Sequence, residues 1–158
     1  MQPFFITFVF MTIAEAYRRV EALKLREKLP ELVAGTSYEI TALNQFALYN
    51  YGVDSLDRKL AKYKSKYYAR QKFYQNNRPG FGIPDLRLTG RHYAGMSVLI
   101  SGYTYKVVSN VPYSEKLVQQ YGPAIYGLSK DNKRIYRTNT LMPAVRKYIS
   151  QITGFVFR

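Results

Sequence analysis

Between Arg58 and Arg78 the chain carries eight basic residues and no acidic one: Arg58, Lys59, Lys62, Lys64, Lys66, Arg70, Lys72 and Arg78, with tyrosines interleaved among them. Cationic side chains in a row neutralise phosphates, and each such contact adds salt-dependent affinity. Interleaved tyrosine rings can stack on bases. Arg58, Lys59, Lys62, Lys66, Arg70 and Lys72 are therefore the candidate contacts to nucleic acid or to an acidic protein neighbour; a solvated face is the third reading of the same charges. Leu56, Leu60, Tyr63, Tyr67 and Tyr74 recur at helical spacing, so the aromatic stripe reads as core.

The other reactive residue types are scattered. His92 is the single histidine and lies near Asp85 and Glu115 only in sequence. No GxSxG elbow accompanies it, and a general base needs a positioned partner. A catalytic reading would need a cleft that gathers Asp85, His92 and Glu115. Five acidic residues (Glu15, Glu21, Glu27, Glu31, Glu39) fall on the first two expected helices. The other five (Asp54, Asp57, Asp85, Glu115, Asp131) fall at expected caps or turns, with no pair patterned to face across a cleft. Gly80, Gly82 and Gly90 lack the spacing of a phosphate loop and read as tight-turn glycines. With no cysteine and one histidine, disulfides, thiolate sites and two-histidine metal motifs are excluded. The sequence thus gives no catalytic residue, no cofactor and no metal.

Composition narrows the class. The 158 residues suit one modest core, and 47% apolar content argues against disorder. A net charge of +14 implies an anionic partner, an acidic neighbour in an assembly, or solubility alone. Sixteen tyrosines favour packed protein interfaces, since each buries a ring and keeps a polar handle.

The elements that would position these residues centre on Pro84 to Gly127. Leu86-Arg87-Leu88 reads as a short extended piece stopped at Thr89-Gly90. Met96, Val98 and Ile100 alternate with Ser97, Leu99 and Ser101, and Tyr103, Tyr105 and Val107 with Thr104, Lys106 and Val108, predicting a hairpin over about 96–109 turned at Ser101-Gly102. Pro112 ends the second strand. Ser114 to Tyr121 reads as a helix closed by Gly122 in the left-handed region. Upstream, Thr12 and Glu15 suggest a capping box for a helix over 13–29, ended or kinked at Pro30. A second helix, capped by Thr36 or Ser37, runs to Gly52. Asp54 is expected to cap a third, which would carry the basic and aromatic residues. Downstream, Ser129 to Lys133 reads as a polar turn and Ile135-Tyr136 as an edge strand. A last helix starts at Thr138 or Thr140 and stops at Gly154. The fold class is α+β: N-terminal helices packed on a small antiparallel sheet, with a short helix and a C-terminal helix.

Residues 1–10, MQPFFITFVF, are almost wholly apolar. They lack the flanks of a secretory signal and are too few to span a bilayer. They read as an artefact of gene-start choice, a docking arm or a weak membrane anchor. As an arm over 1–11 ahead of a domain over 12–158, they make Phe4, Phe5, Phe8 and Phe10 candidate subunit contacts, joined by Phe155 and Phe157 of the apolar tail.

Three short motifs carry a resemblance: Leu86 with Thr89-Gly90, Val111 with Pro112-Tyr113, and Tyr121-Gly122. With them, residues 40–152 resemble the head–tail connector and tail-completion (neck) proteins of tailed bacteriophages. Pro84-Asp85-Leu86, Ile125-Tyr126-Gly127-Leu128 and the closing helix look most like the versions in crAss-like phages. The family's C-terminal aromatic–proline motif is not recognisable here. The resemblance implies a virion protein, made in the host cytoplasm and assembled as a homo-oligomeric ring of twelve copies or, alternatively, six. Such a ring extends the DNA channel below the portal and docks tail components. Portal or adjacent ring proteins, tail proteins and DNA in the channel would be its partners, and no membrane would. A strongly cationic channel would retain DNA, so most of the charge is expected to face protein. The alternative is a stand-alone basic nucleic-acid-binding module.

Overall fold

The computed structural model describes residues 12–157. The expected arm over 1–11, with Phe4, Phe5, Phe8 and Phe10, lies outside the described residues. The fold is α+β: helices surround one two-stranded antiparallel sheet. The elements in chain order are α1 (Ile13–Glu21), α2 (Leu25–Gly35), α3 (Ser37–Tyr51), α4 (Lys66–Gln75), α5 (Arg91–Ala94), β1 (Met96–Ser101), β2 (Thr104–Ser109), α6 (Ser114–Tyr121), α7 (Lys130–Tyr136) and α8 (Met142–Thr153). A 3-10 turn occupies Pro123–Ile125, and a π-helical turn, Arg137–Leu141, joins α7 to α8.

Helix α3 is the centre. Its Leu48 packs with Leu60, Tyr93, Met96 and Ile125, and its Ile40 with Val107, Leu128 and Tyr136. Between the two clusters Asn44 donates from Nδ2 to the Ile125 carbonyl at 3.0 Å. Each fully buried aliphatic side chain here contributes ~1.5–3 kcal/mol by leaving water. Gly52 ends α3 at φ 57°, as its position after the last apolar repeat predicts. A side chain there would collide with Ile83 and stand 2.8 Å from the Pro84 carbonyl. The close approach of the 79–84 loop therefore needs glycine as much as the backbone angle does.

The hairpin spans 96–109 as expected, but it turns at Gly102-Tyr103 rather than Ser101-Gly102, which takes Tyr103 out of the second strand. Met96 pairs with Ser109 and Ser101 with Thr104, leaving Gly102 and Tyr103 as a two-residue turn. Met96 and Val107 are buried, whereas Leu99 on the opposite face is 58% exposed. Helix α6 begins and ends where expected. Gly122 closes it at φ 88° and ψ 161°, outside the left-handed helical region expected of it.

Four further expectations are corrected. The first helix breaks at Ala22 to Lys24, where Lys24 takes φ 38°, and Pro30 lies inside α2. The Tyr148 hydroxyl donates to the Leu23 carbonyl freed by that break, at 2.6 Å. Residues 86–88 form no strand; Leu86 sits at φ 52° in a turn. Asp54 caps no helix. Its Oδ1 accepts from the backbone N–H groups of Leu56 and Arg58 at 2.8 and 3.0 Å, folding residues 54–58 into a side-chain-closed turn. Finally, Ser129 to Tyr136 is neither turn nor strand. Ser129 Oγ accepts from Asn132 N at 3.4 Å and starts α7, and the Asn132 amide donates to the Leu43 carbonyl, tying α7 to α3.

Candidate functional site

The turn at Asp54 removes the first half of the expected basic helix. Arg58, Lys59 and Lys62 lie on irregular chain, and only Lys66 and Arg70 project into solvent from α4. Arg58 pairs with Asp54, Nη2 to Oδ2 at 2.8 Å, and Lys59 Nζ donates to the Tyr51 carbonyl at 2.7 Å. Burial alone would raise the Asp54 carboxyl. The Arg58 side chain, the two backbone donors and the Arg58 charge together outweigh it and hold the group below its ordinary 3.8. The aromatic stripe read as core is largely outside: Leu56, Tyr67 and Tyr74 are exposed, and only Leu60 is buried. The period was right for Tyr67 and Tyr74, but α4 turns that edge to solvent.

Lys72, read as free for an anionic partner, is buried at 6% exposure. Its ammonium reaches Asp85 Oδ1 at 3.0 Å and Oδ2 at 3.2 Å, and donates to the Arg87 carbonyl at 2.6 Å. Asn76 Nδ2 donates to Asp85 Oδ2 at 3.0 Å and to the Tyr49 carbonyl at 2.9 Å. The Arg87 N–H donates to Asp85 Oδ1 at 3.1 Å, and the Tyr93 hydroxyl donates to the Asp85 carbonyl. A buried pair survives only when its remaining lone pairs and protons are satisfied in this way. Burial, reinforced by the Asp85 charge, pushes the Tyr63 and Tyr93 phenols well above the ordinary phenol range, so both stay neutral at any physiological pH.

This ion pair floors a cleft of about 620 Å³ between α4, the 85–91 loop and α6. Tyr63 and Tyr68 form one wall, edge to face with ring centroids 4.9 Å apart. Leu117 and Tyr121 of α6, with Tyr113 before it, form the other, and Leu86, Leu88 and Thr89 cross between them. Arg87 and Arg91 stand among the lining residues. The guanidinium of Arg87 lies 5.0 Å from the Tyr49 ring centroid. Leu86, Thr89, Tyr113 and Tyr121, from all three sequence motifs, thus converge on one concavity. The walls are aromatic and a few polar groups sit beside them, the general make-up of a binding concavity.

Asp85, His92 and Glu115 are not gathered. The Asp85 carboxylate is occupied by Lys72, Asn76 and backbone, and Glu115 is exposed on α6. His92 is buried beside Tyr93, Tyr113 and Tyr126, with ring centroids 5.7 to 6.4 Å away, and neither ring nitrogen has a hydrogen-bond partner in the protein. Burial lowers its pKa from 6.5, so the ring is neutral at pH 7. Among the described residues no group of three or more acidic or histidine side chains is placed to hold a metal, and no helix is long and apolar enough to cross a membrane.

One surface escaped the sequence reading, and a second was anticipated only at Phe155 and Phe157. Lys130, Lys133, Arg134 and Arg137, with Asp131 among them and paired to Arg134 at 3.6 Å, line a groove of about 670 Å³ beside Ser55 to Asp57; the spacing of the four cations became one face only once α7 proved helical. The second is apolar. Ile13, Tyr17 and Val20 share the outer face of α1 and are 90%, 66% and 49% exposed, and α1 contributes no buried residue. The Arg19 guanidinium donates to the Thr153 carbonyl at 3.0 Å, while Leu23 meets Tyr148, so α1 runs antiparallel to α8 and its start passes the exposed tail Phe155, Val156 and Phe157. Comparisons of the chain with protein-family models, with curated proteins and with solved structures give no match.

Proposed function

We propose that this chain is a structural subunit of a phage virion. In this reading it is a head–tail connector, neck or tail-completion protein that closes into a homo-oligomeric ring, extends the DNA channel below the portal and docks tail components. The observation that carries the reading is an apolar end that no described residue covers, where α1 turns Ile13, Tyr17 and Val20 outward and the tail exposes Phe155, Val156 and Phe157. An amphipathic helix of nine residues is marginal unless its apolar face is covered. Exposed apolar side chains gathered on one helix face mark a protein–protein contact, and repeated contacts between unlike surfaces close into rings when the rotation between copies closes. The resemblance of residues 86–90, 111–113 and 121–122 to neck proteins supports the same assembly. Negative-stain electron microscopy of the purified full chain tests it: closed rings of uniform diameter are the expected result, and particles of monomer size overturn it.

A second reading, a nucleic-acid-binding module, is favoured by the α7 groove with its four basic side chains and by the exposed Lys66 and Arg70. Binding of duplex DNA by the monomer, falling steeply between about 50 and 200 mM salt, would support it. Ring formation with weak, salt-insensitive DNA binding would remove it.

A further inference from the structure

The hairpin is a two-stranded sheet, so the outer edge of β2 has no strand beside it. Among the described residues, no backbone hydrogen bond joins Thr104–Val108 to chain outside the hairpin. A groove of about 390 Å³ lies there. Successive residues of a strand face opposite ways, so a groove lined by every residue from Thr104 to Val107 follows the edge and not one face. Tyr126 to Leu128 forms its far wall. Ser55 and Lys133 line this groove and also the α7 groove of about 670 Å³, so the two concavities are continuous. We propose that this joint groove binds an extended acidic segment of a different protein, which adds to the β2 edge through its backbone and pairs its carboxylates with the cations of α7. The proposal goes beyond the ring reading and stands without it.

Two features identify the occupant. An antiparallel edge presents N–H donors and carbonyl acceptors in turn, and another peptide backbone offers the matching groups. A phosphate backbone accepts and does not donate, so nucleic acid along this edge would leave the β2 carbonyls unpaired. The same α7 cations support the nucleic-acid reading; the edge beside them is what favours a peptide. Charge is the second feature. Lys106 on the edge is exposed, as are Lys130, Lys133, Arg134 and Arg137 beyond it. Two carboxylates stand among them, Asp57 and Asp131, the latter paired with Arg134 at 3.6 Å, which leaves the cations in excess. One lysine suffices to keep an edge solvated; the α7 cations exceed that need and attract an anionic partner. A second copy does not supply it. All six glutamates and Asp131 sit in helices. Asp54 and Asp85 are buried, Asp57 lines the groove itself, and residues 1–11 hold no acidic side chain. Pairing two β2 edges would also press two cationic banks together.

Fluorescence anisotropy of the full chain with a labelled peptide of alternating glutamate and valine, about ten residues long, tests the assignment. Saturable binding at near-physiological salt is expected. Lys133→Glu combined with Arg137→Glu is expected to weaken it at least about ten-fold. Lys66→Glu combined with Arg70→Glu makes an equal change of charge at exposed α4 positions outside the groove, and is expected to leave binding within about two-fold, because salt screens distant charges. Hydrogen exchange at Thr104–Val108 of the parent chain is expected to slow when the peptide binds. That measurement needs no variant, so it holds if a variant fails to fold. Equal losses in the two double variants, unchanged exchange at Thr104–Val108 on saturation, or no saturable binding by the parent chain each overturn the strand-addition contact. Duplex DNA bound through Lys133 and Arg137, with no binding of the peptide, overturns it in favour of a nucleic-acid face. Self-association lost in the Lys133→Glu, Arg137→Glu variant, again with no binding of the peptide, overturns it in favour of a contact between copies.

Discussion

Helices α1 and α3 illustrate two fates of an apolar pattern. In α3, Ile40 and Leu48 are fully covered by the hairpin, the 3-10 turn and α7, and the one buried amide between them reaches a carbonyl. In α1, the stripe Ile13, Tyr17 and Val20 is as regular, yet no described residue covers it, and the contacts to α8 are made by Arg19 and Leu23. The pattern tells that a face is to be covered; it does not tell by which molecule. The α3 face is completed within the chain, and the α1 face is where we place a neighbour.

If that contrast is right, substitutions at the two places differ in kind. The largest expected effect is at the buried ion pair. Lys72→Met leaves Asp85 charged, buried and without its cation, and is expected to cost about 3–5 kcal/mol by chemical denaturation. Lys72→Met combined with Asp85→Leu is expected to cost clearly less than the single change, because no uncompensated charge remains. Next, Leu48→Ala empties a fully buried site and is expected to cost about 2–5 kcal/mol. Its urea midpoint falls while self-association of the folded fraction persists. By contrast, Tyr17→Ser on the exposed face is expected to change monomer stability by about 0.5 kcal/mol or less and to reduce oligomer content in sedimentation velocity. A monomer-stability loss at Tyr17 equal to that at Leu48 would erase the distinction.

The smallest effect is a pH dependence within the covered region. Buried His92 has a lowered pKa, so below 6.5 the unfolded chain takes up a proton that the folded chain refuses. Stability is therefore full above about pH 6.5 and falls as pH drops toward the folded-state pKa. His92→Phe is expected to flatten the denaturation midpoint between pH 7 and 5.5, and a midpoint that declines as in the parent would assign the titration to another group.

Much of the frame was legible because local chemistry and packing agreed. The alternation from Met96 to Val107 had one buried face to satisfy, Gly52 was needed both for its backbone angle and for the space beside Ile83, and Ser114 to Tyr121 had a proline before it and a glycine after it. Misreadings arose where one side-chain chemistry serves two local structures. An aspartate that can cap a helix can also close a turn, which is what Asp54 does. Ser129 read as turn and proved a cap. Lys72 looked like its exposed neighbours because its partner, Asp85, lies beyond a turn-rich loop that no periodicity describes. The cleft was legible only as three separate motifs; their convergence depends on how α6 packs against the 85–91 loop, which is a tertiary fact.

The most direct test of the central claim is the mass distribution of the purified full chain in solution at near-physiological salt. Our account predicts one discrete closed species of many copies, lost when Tyr17 or Val156 is made polar. A single monomer peak at every concentration, unchanged by either substitution, would contradict it.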